Sequence, residues 1–139
     1  MSRIIKLEGV GKQRNRMTRE VVLAIRELMQ QGEVNEKTRD LAAFITLNLE
    51  AIYQTIDKTV EAWEKRDYWV KADRFRLEWS WTGQLAEKMR EAILAEDWQT
   101  VAITSAEAAQ KLGNILIPSR HRMGEPWEGA WKKFDQSAN

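Results

Sequence analysis

The residues that most often carry chemistry are scarce in this chain. His121 is the single histidine and there is no cysteine. The missing thiols remove disulfides, thiolate nucleophiles and cysteine-ligated zinc or iron–sulfur sites together. General acid–base work needs a positioned group, usually oriented by a carboxylate or carbonyl. His121 sits instead between Arg120 and Arg122, surroundings that favour an ordinary surface histidine. A di-iron site in a helical protein needs inward glutamates and Glu-x-x-His on two helices, and one histidine cannot supply it. Glu50, Asp57, Glu61 and Glu64 share one helical face, and Asp57 with Glu61 and Glu50 could hold a hard cation. Lys58 and Lys65 interleave with them, which favours a salt-bridged face. The run Gly9-Val10-Gly11-Lys12 has Gln13 where a phosphate loop needs Ser or Thr, and its first glycine is misplaced. The expectation is no enzyme, no metal and no cofactor.

The charge pattern offers a different chemistry. Net charge is +1, yet residues 1–26 carry Arg3, Lys6, Lys12, Arg14, Arg16, Arg19 and Arg26 against only Glu8 and Glu20. Residues 27–110 are net acidic. Lys12, Arg14, Arg16 and Arg19, joined by Arg120 and Arg122, could neutralise phosphates and give salt-dependent binding to nucleic acid or another polyanion, with tryptophans stacking on unpaired bases. Against this stands a pI of about 8.0, below the value above ~9 expected of a basic binding domain. Interleaved acids point to a salt-bridged surface, with Asp57, Glu61, Glu64, Asp67 and Asp73 as partners for the arginines.

The elements that would position these side chains are helices. Gly83 is the only glycine or proline between residues 33 and 112, and apolar spacing follows the helical period throughout. A first helix is expected over 15–31, with Asn15 as N-cap, an apolar stripe from Met17 to Met29, and Gly32 at its end. Asn35 caps a second, reaching Arg66, on the stripe Leu41, Ile45, Leu49, Ile52, Ile56, Val60 and Trp63. A third follows Asp67 and runs to Ala95 through Tyr68, Ala72, Phe75, Trp79, Thr82, Ala86, Met89 and Ile93. Leu77, Trp81 and Leu85 widen its apolar face, and Gly83 is where it could kink. Asp97 caps a fourth helix that ends at Gly113, a position suited to a left-handed residue. Residues 114–125 form a connector, and Pro126 opens a short amphipathic turn carrying Trp127, Ala130, Trp131 and Phe134.

This pattern predicts an all-α, antiparallel helical bundle in a single domain spanning 1–139. It has four main helices, two long and two shorter, an irregular basic N-terminal arm over 1–14 and a C-terminal tail over 114–139. The N-terminus shows no long apolar run, and no stretch approaches the ~18 apolar residues of a membrane span. A cytoplasmic protein is expected. The short helices should cover the half of the long hairpin far from its turn. The turn half holds Trp63, Tyr68, Trp69, Phe75, Trp79 and Trp81, and large aromatics at bundle spacing want burial. Their cover would be the arm, the tail or a second copy of the chain.

The leading expectation is a non-enzymatic assembly or protein-interaction module, a homo-oligomer or subunit of a larger complex. Its interface residues would be Trp63, Trp69, Trp79, Trp81, Trp127 and Trp131. The polyanion-binding reading stands second. A small-ligand pocket among the aromatics, with polar Asn48 or Thr82, stands third.

Overall fold

The computed structural model describes residues 7–138, with side chains from Gly9 onward. Six helices follow one another: α1 (Leu7–Met29), α2 (Glu36–Glu64), α3 (Trp69–Trp79), α4 (Trp81–Leu94), α5 (Trp98–Lys111) and α6 (Ala130–Ser137). Among the described residues there is no strand, and no helix is long and apolar enough to cross a membrane.

The core is built on α2. Leu41, Ile45, Leu49 and Ile52 are fully buried and Ile56 nearly so, because their spacing holds one stripe on one side of the helix. The stripe starts cleanly: the Asn35 side chain accepts the Thr38 N–H and the Thr38 hydroxyl accepts the Asn35 N–H, a reciprocal cap. Helices α1, α3, α4 and α6 all pack against α2, and α5 lies against α4 and α1. Arg14 reaches Thr55 and Thr59 at one end of the α1–α2 pair, and Glu27 meets Lys37 at the other.

Several sequence expectations need correction. The N-terminal arm is not irregular from residue 7 on, because α1 begins at Leu7 rather than after an Asn15 cap. Val10, Arg14, Met17 and Val21 continue one stripe at 4-3-4 spacing, and packing against α2 outweighs the weak helix propensity of Gly9 and Gly11. Residues 1–6 of the expected arm lie outside the described residues.

The long third helix is two segments, interrupted at Ser80 and not at Gly83. Ser80 keeps helical angles, but the Gln84 N–H to Ser80 carbonyl bond stretches to 3.4 Å. Beside it the Thr82 hydroxyl donates to the Trp79 carbonyl at 2.8 Å, the kind of back-bonding that bends helices. Gly83 serves a close approach instead, since a Cβ there would stand 2.9 Å from the Tyr53 ring.

Gly113 does not take the left-handed conformation expected of it, whereas Asp67 and Glu96 do, at φ 62° and 55°. At each, the next N–H reaches back five residues: Tyr68 to the Trp63 carbonyl at 2.9 Å, Asp97 to the Ala92 carbonyl at 2.8 Å. These bonds close α2 and α4 with Schellman turns that lack glycine.

The tail, one of the candidate covers for the aromatic half, lies elsewhere. The Asp40 carboxylate, near the start of α2, accepts the Gly129 and Trp131 N–H groups at 3.3 and 2.9 Å and so caps α6 from outside. Arg90 holds Glu50 with two bonds of 2.8 Å, donates to the Ser137 hydroxyl and stacks 4.6 Å over Phe134. The tail therefore covers α2 and α4 at the end away from the α2–α3 turn, not the aromatic half beside it.

Candidate functional site

At the α2–α3 turn the two helices pack through a small cluster. Ile56, Val60 and Ala72 are buried, with Trp63, Phe75 and Trp79 half-buried around them. The rings form a ladder: Trp63 meets Phe75 edge-on at 5.0 Å, Phe75 lies 6.3 Å from Trp79, and Trp79 stacks on Trp81 at 6.2 Å.

Two cations close this ladder. Lys71 stands 4.5 Å over Trp63, and the Arg14 guanidinium lies 4.8 Å over Phe75 and 5.9 Å from Trp79. Arg14 also donates to the Thr55 hydroxyl at 3.2 Å and the Thr59 hydroxyl at 2.9 Å. Those hydroxyls donate in turn to the carbonyls of Ile52 and Thr55, which leaves their lone pairs facing the guanidinium. Burial pushes the Arg14 pKa down, and Glu78 nearby opposes that. Of the candidate covers for these aromatics, the N-terminal chain contributes one side chain, the inward Arg14 on α1.

The other side of α3 is covered by nothing described. Ala72 is its only buried residue, while Trp69 is 54% exposed, Val70 67% and Leu77 78%. Val70 and Leu77 are seven residues apart, two turns on one face, directly opposite Ala72, Phe75 and Trp79. Leu77 therefore does not widen the packed face, as expected from its type. Tyr68, also expected inward, is 51% exposed at the turn.

The six tryptophans proposed as an interface divide between two places. Trp63, Trp79 and Trp81 belong to the ring ladder, and Trp69 is exposed beside it. Trp127 is buried near Lys37, with the ammonium 5.9 Å from its ring, and Trp131 stacks on Phe134 at 5.6 Å. The two groups lie toward opposite ends of α2.

The candidate basic residues are likewise not gathered. Arg14 is turned inward, and Arg16 pairs with Glu20 at 3.5 Å on its own helix. Lys12 and Arg19 are exposed. The connector passes Arg26, which donates to the Ile117 carbonyl at 2.8 Å, and carries exposed Arg120 and Arg122 beyond it. Arg26 is twelve residues, roughly 18 Å, along α1 from Arg14.

The acidic face forms ion pairs, one of them with the interleaved Lys65 as expected and none described with the N-terminal arginines. Glu61 pairs with Lys65, Glu64 and Asp73 with Arg76, and Glu50 with Arg90. Among the described residues no three His, Asp or Glu side chains converge as a metal site. The Met123 N–H donates to His121 Nδ1 at 3.2 Å, which ties the histidine into the connector.

Neither polar residue considered for a ligand pocket opens into one. The Thr82 hydroxyl is used within its helix. Asn48 Nδ2 is buried without a described hydrogen-bond partner and is absent from the lining of the five main grooves. The groove between α2 and α4, about 550 Å³, is open and lined by Glu50, Tyr53, Gln54, Gln84 and Glu87. Comparison with protein-family models, curated proteins and solved structures finds no match for this chain.

Proposed function

We propose that this chain is a non-enzymatic helical-bundle interaction module that docks through the outer face of α3, with a second copy of itself as the partner. The scaffold is read as an antiparallel bundle. The Arg14–Thr59 and Glu27–Lys37 contacts at opposite ends of α1 and α2 support that reading.

One observation carries the proposal. Helix α3 buries a single residue completely while displaying Trp69, Val70 and Leu77 to solvent. Contiguous exposed apolar side chains rimmed by charge mark interaction sites on soluble proteins. Asp67, Lys71, Asp73 and Arg74 supply that rim here. The interface shrinks from the six tryptophans to Trp69 with Val70 and Leu77, since the other rings pack within the chain.

Polyanion binding draws less support. Arg14 is committed to Thr55, Thr59 and Phe75, and Arg16 pairs with Glu20 on its own helix.

Light scattering across a concentration series, at low and high salt, tests the proposal. The expected result is a mass that rises above the monomer's 16.2 kDa with concentration and changes little with salt. A mass fixed at the monomer value under all conditions refutes self-association. Salt-sensitive binding of a single-stranded oligonucleotide by that monomer would favour the polyanion reading.

A further inference from the structure

The buried apolar residues fall into two clusters of unequal size. The larger runs from Met17 on α1 to Phe134 on α6, and no buried residue between Ile52 and Leu85 belongs to it. The smaller holds Ile56, Val60 and Ala72. Trp79 is the ring that packs against both. The last turns of α2 and all of α3 therefore form a small lobe with a core of its own.

Both ends of α3 are lightly held. No side chain caps its N-terminus, and the turn before it passes through Asp67 in the left-handed region at φ 62°. Its other end meets α4 at Ser80, where no side chain caps α4 and the Gln84 N–H lies 3.4 Å from the Ser80 carbonyl. Between these ends Ala72 alone is fully buried. A segment with so few buried apolar contacts opens at a lower cost than the whole fold.

The contacts that close the lobe are largely made by cations. Arg76 of α3 pairs with Glu64 of α2 at 3.1 Å, but both side chains are partly exposed, and such pairs contribute little. Lys71 of α3 stands 4.5 Å over Trp63 of α2. Arg14 is more deeply set: from α1 it lies 4.8 Å over Phe75 of α3 while donating to Thr55 and Thr59 of α2. A partly desolvated cation on a ring face holds more strongly than an exposed one.

We infer that α3 is a hinged segment, which swings from α2 as a unit about Ser80 with Arg14 as its latch, while the main core stays folded. Opening uncovers Ile56, Val60 and Trp63 on α2 and Ala72 and Phe75 on α3, an apolar seam that the closed chain hides. The inference does not depend on self-association, because it concerns the inner face of α3 and is tested on the monomer.

Native-state hydrogen exchange tests it, at a protein concentration where the mass is the monomer's and with urea raised below the unfolding transition. Amides of residues 73–79 should exchange through an opening with weaker urea dependence than those of residues 41–52, because less surface is exposed. Ile93→Val, in the main core, should speed exchange in residues 41–52 about 2- to 12-fold and leave residues 73–79 unchanged. Arg14→Met should speed residues 73–79 about 2- to 30-fold. Residues 73–79 that share the urea dependence of the core, or that speed up equally in Ile93→Val, overturn the hinge. Unchanged exchange there in Arg14→Met overturns the latch. Exchange of residues 73–79 at the rate of an unprotected peptide in wild type overturns the closed state itself.

Discussion

The Arg14 guanidinium lies 4.8 Å from the centre of the Phe75 ring. Four turns before its end, α1 thus sets a cation on the α2–α3 aromatic cluster while donating to Thr55 and Thr59. The contact explains why the helix extends back past Asn15, and why the hairpin turn stays packed on its inner side. It also removes a base from any surface offered to a polyanion.

Replacing Arg14 with Met should lower stability by about 1–3 kcal/mol, from the lost ring contact and two hydroxyls left without a donor. Arg14→Lys should recover only part, because one ammonium lacks the planar fork that serves Nε and Nη2 together. Thermal unfolding of the two variants checks this. Equal stability of Arg14→Met and wild type would show the guanidinium to be idle.

Glu96 holds φ at 55° in the turn between α4 and α5, a conformation that costs L-residues roughly 1–2 kcal/mol. Glu96→Gly should therefore raise the unfolding midpoint in urea. Gly83→Ala should do the opposite, because the new Cβ meets the Tyr53 ring at 2.9 Å. Overpacking of that kind costs about 1–3 kcal/mol. Gly32→Ala, with nothing near its Cβ, is the control expected to show no clash.

Burial raises the Glu20 pKa above its ordinary value, and Arg16 opposes the shift. The folded state then binds the proton more tightly than the unfolded state. Stability contributed by this group is present below the ordinary carboxylate range and falls as pH rises through the raised pKa. Glu20→Gln should unfold at higher temperature than wild type at about pH 7, and the gap should close near about pH 4. A gap that widens on acidification would contradict the assignment. Asp97 has the opposite sign: the Thr100 hydroxyl and N–H lower its pKa. Its contribution is lost as pH falls through that lowered value.

Asp40 caps α6 across the chain, accepting from Trp131 at 2.9 Å. Asp40→Ala should cost about 1 kcal/mol and speed amide exchange in residues 129–134 before it affects the core. Uniform exchange rates across the variant would show that α6 is held by Phe134 and Arg90 alone.

Much of the helical pattern is legible in the sequence. The α2 stripe, the Asn35 and Asp97 caps and the seam through Ala72, Phe75, Thr82, Ala86, Met89 and Ile93 all follow from local periodicity and capping chemistry. What is not legible depends on contacts distant in sequence. Gly9 and Gly11 read as breakers because nothing local announces that Arg14 will pair with threonines more than forty residues away. The tail is only one of three candidate covers for the aromatic half, because tryptophan marks burial but not location. Asp40, read locally, is only an exposed acid near a helix start.

The same lesson applies to the candidate site. The tryptophans drew attention by type, yet most of them satisfy one another inside the chain. The informative residues are Val70 and Leu77, whose seven-residue spacing opposes the packed stripe. Read from the sequence, Leu77 belongs to the packed face and Val70 does not stand out; only the burial of Ala72 on the opposite side shows that this face is left open.

Sedimentation equilibrium of wild type beside Leu77→Lys tests the central claim most directly. Leu77 is 78% exposed, so the substitution should leave thermal unfolding of the monomer unchanged while placing a charge on the proposed seam. The account predicts a wild-type mass that climbs above 16.2 kDa with concentration and a Leu77→Lys mass that stays there. A wild type that remains monomeric at the highest attainable concentration, or a Leu77→Lys variant that associates equally well, would contradict it.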